Sequence, residues 1–359
     1  MTSANSLIQR AREQGTPAVE GNRATFFWEG DSAPLLISDV TGWDERPKTF
    51  KRLTPTLKSA SRQPIWSCSL TLPRDAYIEY AFRDPVTQDH FLDPWNEQSV
   101  SNGMGKRNNF FYMPETMPSP FSMRRADVPT GTLQRRRVDT SWLLQDEGDR
   151  DVYLYKPPTR EPVPLLIVYD GPDYLHRARL ATVVDNLIAD RRIRPIAMAF
   201  LQNGRSRRSL EYFCSDATIC WLDREILPLA RKHLRLIPTK EQPGAYGVLG
   251  ASAGGLMAVY TGLRMPDVFG NVLSQSGVFA LYGRDFAAVD LVRHEHAPGV
   301  KFWMDVGRLD DLLEDNRRMQ SLLNEKGYHV SYREFSGGHN YTAWRDDVWR
   351  GLEEMFPVK

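Results

Sequence analysis

Apolar and polar positions alternate in two different ways along the 359-residue chain. Up to about residue 120 the apolar runs are short, alternating or rich in aromatics: ATFFWEG, APLLISDV, PIWSCSLTLP, AYIEYAFRD and NNFFYMP. Turn residues separate them at fairly regular spacing, a pattern that predicts a small antiparallel β-sandwich of immunoglobulin-like type. A short helix over about residues 3–14 is expected ahead of it.

The second half follows another rule. Two strand-like segments, GTLQRRRVDTS and RDVYLYKPP, are followed by continuous apolar runs that alternate with helical ones. In order these are PLLIVYDG, ARLATVVDNLIADR, IRPIAMAFLQ, ATICWLDREILPLARKHL, AYGVLG, GGLMAVYTGLRMP, GNVLSQSG, VKFWMDV, NRRMQSLLNEKGY and VSYREFSG, with a closing helix from Tyr341. Continuous runs bounded by Gly or Pro fit parallel strands covered on both faces. Two short strands ahead of the first parallel one match the antiparallel start of an α/β-hydrolase sheet. The stretch PETMPSPFSMRRADVPTG holds four prolines and no periodicity, so the linker is placed there. The expected organisation is an N-terminal β-sandwich, residues 1–120, and an α/β-hydrolase catalytic domain, residues 121–359.

Composition narrows the partners. Lys plus Arg number 46 against 45 Asp plus Glu, a net charge of +1, which argues against a general nucleic-acid or membrane-surface binder. Three scattered cysteines, Cys68, Cys214 and Cys220, supply neither a disulfide framework nor a zinc site. The first residues, MTSANSLIQRAREQG, show no secretory h-region, and no apolar run approaches the roughly 18 residues of a membrane span. The expectation is a cytoplasmic protein with a small-molecule substrate and no metal or other cofactor.

Chemistry concentrates around one serine. Gly250-Ala251-Ser252-Ala253-Gly254 matches G-x-S-x-G, the turn that lifts a nucleophilic serine between strand and helix. The bare pattern is weak, but YGVLG before it reads as a buried strand and GGLMAVYTGL after it as a helix. The structural alternative is close strand–helix packing without chemistry. A serine nucleophile needs a base oriented by a carboxylate, in the chain order Ser, acid, His. Of the later histidines, His294 and His296 fall in the polar stretch RHEHAPG and His329 at a strand entrance. His339 follows the last strand in FSGGHNYTAW, where two glycines let the backbone turn, and is the candidate base. Asp310, three residues past Gly307, is the candidate acid, with Asp311 the alternative. Asp305 lies within the strand and reads as structural, and Glu314 and Asp315 suit the dipole of a helix start. An oxyanion hole would take one N–H from Ala253 and another from Gly171 or Asp173, because Pro172 has none to give.

These residues resemble the esterase-D/enterochelin-esterase family of α/β-hydrolases. The catalytic half carries LYKPP, VYDG, RRSLEY, EILPL, GASAGGLMAVYTGLRMPDVFGNVLSQSG, VGRLDD and SGGHNYTAW. The first half carries GTPAVEGNRATFFWEG, DVTGW, PIWSCSLTLPRDAYIEYAF and DPWN, similar to that family's N-terminal domain. The resemblance implies a cytoplasmic serine hydrolase that opens a trilactone of 2,3-dihydroxybenzoyl-serine so that iron is released. It assigns Ser252 as nucleophile, His339 as base and Asp310 as acid. Relatives with the same catalytic half cleave feruloyl or other simple esters, which makes an esterase of phenolic or carbohydrate esters the alternative. A non-catalytic binding protein on the same fold is the third reading. A ferric tris-catecholate is trianionic, so Arg205, Arg207 and Arg208 after a strand, and Lys106 and Arg107 in the sandwich, are candidate contacts. The plainer reading is solvated charge or an Arg208–Glu211 pair. Trp344 is the aromatic nearest His339 in sequence, beside Trp95 and Trp349 as core or binding residues.

Overall fold

A computed structural model of the chain describes residues 4–53, 63–143, 148–295 and 299–358. The chain forms two compact units: Met1–Pro118 with Gly307–Asp311 and Phe335–Ala343, and Ser119–Val306 with Leu312–Glu334 and Trp344–Lys359. Two short loops from late in the chain thus belong with the N-terminal unit.

That unit is two antiparallel sheets behind the helix Ala4–Gln14. One sheet runs Ala18–Glu20, Arg23–Glu29, Ile65–Thr71, Lys51–Arg52; the other runs Lys48–Thr49, Leu35–Ser38, Tyr77–Arg83, Arg107–Tyr112, Ser99–Ser101. The two-residue period of a strand shows at Phe26 and Phe27. Phe26 enters the core between the sheets with Leu36, Ile78, Tyr80, Phe82 and Phe111, while Phe27 packs in a smaller cluster with Ala11 and Ile65. Strand Tyr77–Arg83 is buried at every position but its last. Ile78, Tyr80 and Phe82 point into the core. The late loop takes up the strand's start: the Tyr77 N–H donates to the Ser336 carbonyl at 3.0 Å. Leu309, from the other late loop, packs against the same core.

The second unit is built on an eight-stranded sheet. Its strands are β1 (Thr132–Val138), β2 (Arg150–Lys156), β3 (Leu165–Val168), β4 (Ala197–Leu201), β5 (Tyr246–Ala251), β6 (Phe269–Gln275), β7 (Lys301–Gly307) and β8 (His329–Phe335). Their order is β1-β2-β4-β3-β5-β6-β7-β8. β1 pairs antiparallel with β2, and β2 with β4, before parallel pairing begins at β3. Every residue of β3, β4, β5 and β6 is buried, as strands covered on both faces require. In such sheets ligands bind outside the carboxyl ends of the strands, and Gly171, Arg205, Ser252, Asp310 and His339 each follow the last residues of a strand.

Two elements depart from the sequence pattern. The run ATICWLDREILPLARKHL, expected as one regular helix, is helical over Asp216–Trp221 and Leu227–His233 but opens into a wider π-type turn at Leu222–Ile226. Leu227 donates to the Leu222 carbonyl, five residues back. Pro228 explains the change: it has no N–H for the carbonyl of Arg224, and its ring would crowd that carbonyl. Periodicity also assigns nothing between β6 and β7, where the structure has a hairpin, Ala280–Leu281 with Arg284–Asp285, and a helix, Ala287–His294. Two-residue strands are too short to print a period. His294 ends that helix exposed, and His296 lies outside the described residues.

Candidate active site

From Ala245 to Leu263 the chain is buried at every position except Ser252. The backbone at Ser252 has φ 59° and ψ −124°, a conformation that costs an L-residue of order 1–3 kcal/mol and persists only where the surroundings enforce it. They do so from two sides. Ser252 N–H donates to the Gln275 carbonyl at 2.9 Å, and the Ser252 carbonyl accepts from Leu256 and Val278 at 3.1 and 3.2 Å. The turn is also tight enough to dictate composition. A Cβ on Gly250 would lie 2.2 Å from the Gly254 carbonyl oxygen, so only glycine fits. Ser252 ends β5 and precedes the helix Ala253–Arg264, the strand-to-helix context that the motif requires.

Ala253 is the first residue of that helix, and Gly171 the first of the helix Gly171–His176 after β3. The N–H groups of a first helical turn have no partner within the helix, which leaves both suited to receive a developing oxyanion. Asp173, the other expected donor, is less suited, because its N–H donates to the Asp170 carbonyl at 3.0 Å.

Between these two donors lies an interaction the sequence reading missed. Asp170 sits at φ 51°, 1% exposed, with its carboxylate gripped by Arg208 through Nε at 2.8 Å and Nη2 at 2.6 Å. Asn203 donates to the same carboxylate. Arg208 Nη2 also reaches the Ala251 carbonyl at 3.2 Å, tying the end of β3 to the end of β5. The guanidinium lies 5.2 Å from the centre of the Tyr212 ring, whose hydroxyl accepts the Asp170 N–H at 3.1 Å. Burial raises the Tyr212 phenol well above its ordinary pKa, with Asp170 adding to the rise, so the hydroxyl stays protonated. Glu211, the acid that sequence places nearest Arg208, pairs with Arg150 at 2.7 Å. Arg208 therefore braces the protein's own backbone, and only Arg205 of the candidate cations in this loop is exposed. Trp344 is likewise corrected from binding surface to core. It is 3% exposed, and its indole N–H donates to Ser276 Oγ at 3.0 Å.

The candidate base and acid, His339 and Asp310, lie in the loops after β8 and β7. From Ser336 to Trp344 every residue is buried except His339, the same signature that marks Ser252. His339 Nδ1 is 2.8 Å from Asp310 Oδ2. Asp310 is 6% exposed whereas Asp311 is on the surface, so the hydrogen bond distinguishes two neighbouring acids that sequence left open. An ionised Asp310 accepting the Nδ1 proton leaves Nε2 as the basic nitrogen of the ring. Of the other candidates, His329 is exposed and faces Glu354 at 3.4 Å.

The sheet order and the strained serine turn define an α/β-hydrolase. Residues 145–355 match the family model described as "Putative esterase", and the chain belongs to that esterase family, a family of carboxylic ester hydrolases. It is 27% identical to the iron(III) enterobactin esterase of Dickeya dadantii, over 96% of this chain and 91% of that one. Among solved structures it is similar to the ferric enterobactin esterase of Salmonella typhimurium, with a TM-score of 0.77, 22% identity and 93% of each chain covered. A ferulic acid esterase from Anaeromyces mucronatus matches with a TM-score of 0.55 and 14% identity, covering 66% of this chain and 95% of that one.

Proposed function

We propose that the chain is a serine esterase that opens the ester bonds of a catecholate trilactone siderophore, using Ser252, His339 and Asp310. The observation that carries the substrate reading is coverage. The match to an iron(III) enterobactin esterase spans 96% of the chain, whereas the ferulic acid esterase spans 66% of it. The division into a sandwich domain, residues 1–120, and a catalytic domain, residues 121–359, is part of the same proposal.

Ser252 Oγ attacks the ester carbonyl carbon while His339 Nε2 takes its proton, and the imidazolium is stabilised by Asp310. The N–H groups of Ala253 and Gly171 receive the carbonyl oxygen as it becomes an oxyanion. On collapse the bond to the leaving alcohol breaks and His339 returns the proton to that alcohol. Water, deprotonated by the same ring, then frees the acyl group from Ser252. The iron is cargo of the substrate and takes no part in these steps. Arg205, exposed on the loop after β4, is the cation proposed to meet the anionic catecholates. Among the described residues no helix is long and apolar enough to cross a membrane; a cytoplasmic location is proposed with the substrate.

The test compares hydrolysis of the iron-loaded and iron-free trilactone with feruloyl and acetyl esters. A kcat/KM for either trilactone form at least ~10²-fold above the simple esters is expected, about 2.7 kcal/mol of transition-state preference. Equal rates on all substrates would refute the siderophore reading and leave the esterase standing.

A further inference from the structure

Asp39 belongs to none of the groups named above. It follows the last residue of the sandwich strand Leu35–Ser38, in a short 3₁₀ turn that Ser38 caps: the Val40 N–H donates to Ser38 Oγ at 3.3 Å, and Ser38 N–H to Thr41 Oγ1 at 2.9 Å. The turn drives a carboxyl group inward until it is 4% exposed. There Asp39 Oδ2 accepts the Glu79 N–H at 2.8 Å and lies 3.5 Å from Asn340 Nδ2. A Cβ on Gly338 would fall 2.3 Å from Asp39 Cγ, so residue 338 is glycine because Asp39 occupies the space. The next residue is His339.

We propose that Asp39 is a positioning residue for the base half of the site. Seated against Gly338 and Asn340, it fixes the turn that presents the His339 imidazole to Asp310. The inference rests on the reading of His339 as base and Asp310 as its acid.

Backbone contacts also hold the turn: Asn340 N–H donates to the Gly338 carbonyl at 3.1 Å, and Gly307 packs against the carbonyls of Gly337 and Gly338. Arg308 N–H donates to the Phe335 carbonyl at 2.8 Å and Leu309 N–H to the Gly337 carbonyl at 3.1 Å, while Asn340 Oδ1 accepts from the Ala343 N–H at 2.9 Å. At Gly338 itself the wall is the Asp39 side chain. The groups facing Asp39 explain why a carboxyl can serve there without disturbing the pair it supports. Burial chiefly, then the charges of Glu79 and Asp310, raise its pKa well above the ordinary range, while the Glu79 N–H and Trp43 oppose the rise. Glu79 is held by Tyr77 Oη at 3.1 Å and Asn108 Nδ2 at 2.9 Å. Three carboxyl groups, Asp39, Glu79 and Asp310, are thus enclosed beside one imidazole. A carboxyl so biased toward its neutral form supplies shape and hydrogen bonding with less negative charge competing with Asp310 for the ring.

Shape rather than charge as the operative property makes the test specific. In the full-length enzyme, kcat and KM for a p-nitrophenyl ester are measured for Asp39→Asn, Asp39→Ala and Gly338→Ala. The far-downfield proton resonance of His339 Nδ1 is recorded alongside, and thermal unfolding checks the fold. Asp39→Asn, neutral and of the same shape, is expected to keep kcat within about 3-fold and to keep the resonance. Asp39→Ala and Gly338→Ala are expected to lower kcat by about 30-fold or more with KM within about 2-fold, and to shift or broaden the resonance, since misplacement by about 1 Å costs on the order of 10²-fold. Wild-type kcat and resonance in either Asp39→Ala or Gly338→Ala overturns the proposal, and Gly338→Ala keeps the test decisive if Asp39→Ala does not fold. His339→Ala is the separate control: full activity there would refute the underlying reading of the base, whatever the Asp39 variants do.

Discussion

The turn proposed to carry the nucleophile and the turn proposed to carry the base are held in different ways. Around Ser252 the constraint visible in the sequence is steric and local, set beside hydrogen bonds with Gln275 and Val278. Gly250 and Gly254 are four residues apart, and the close approach of one to the other fixes the turn. Around His339 the constraint is polar and distant in sequence. Asp310 and Asp39 reach the turn from 29 and 301 residues away, measured to His339 and Asn340. A local steric device prints a motif, whereas a long-range polar one leaves single Asp residues that look like any others.

The comparison can be broken in several places, beginning with the largest expected effect. Ser252→Ala is expected to remove on the order of 10⁴-fold or more of kcat on a p-nitrophenyl ester, with folding intact by circular dichroism. Asp310→Asn should cost about 10³- to 10⁴-fold, because the wrong histidine tautomer is then favoured, while Asp311→Asn stays within about 2-fold. Equal losses in those two would erase the distinction that burial draws between them. Arg208→Ala removes the partner of a carboxylate that is 1% exposed, so urea unfolding should show a loss of about 3 kcal/mol. Arg208→Lys, with one donor direction in place of a planar fork, should fall between. An unchanged urea midpoint in Arg208→Ala would mean that the nucleophile half does not depend on this brace.

The smallest effect concerns pH. The folded state raises the Asp39 pKa above the unfolded value of about 3.9, so it holds that proton more tightly. The resulting stability is fully present below the unfolded value and is lost as pH rises through the folded one. Asp39→Asn cannot ionise and escapes the loss. Its urea midpoint relative to wild type should therefore climb between pH 5 and pH 8; a flat difference would mean that Asp39 is ionised throughout.

Legibility in the sequence follows the same division. Strands buried on both faces appear as apolar runs, so LLIV, AMAFL and YGVLGA could be read as parts of a sheet. Ser252, Asp310 and His339 stood out through chain order and the glycines beside them. The acid could be narrowed only to two adjacent aspartates, since the choice depends on which one is buried. The Arg208–Asp170 contact was not legible because the two residues lie 38 apart, while sequence pointed to the nearer acid, Glu211. Trp344 could be left only as core or binding residue for a related reason: nearness to His339 along the chain says nothing about which side of the helix faces the core. Asp39 lay in plain view within DVTGW, but no spacing rule connects it to a glycine three hundred residues later.

The doubly covered strand Tyr77–Arg83 bears on how such a protein can be inherited. Domains that trade places between genes tend to end in surfaces that need nothing from their neighbours. Here the first 118 residues are completed by fragments from positions 307–311 and 335–343. Cutting the gene near codon 120 would strip both partners of finished structure at once. Sandwich and hydrolase should therefore travel, duplicate and diverge as one cassette, with the sandwich tied down along this strand.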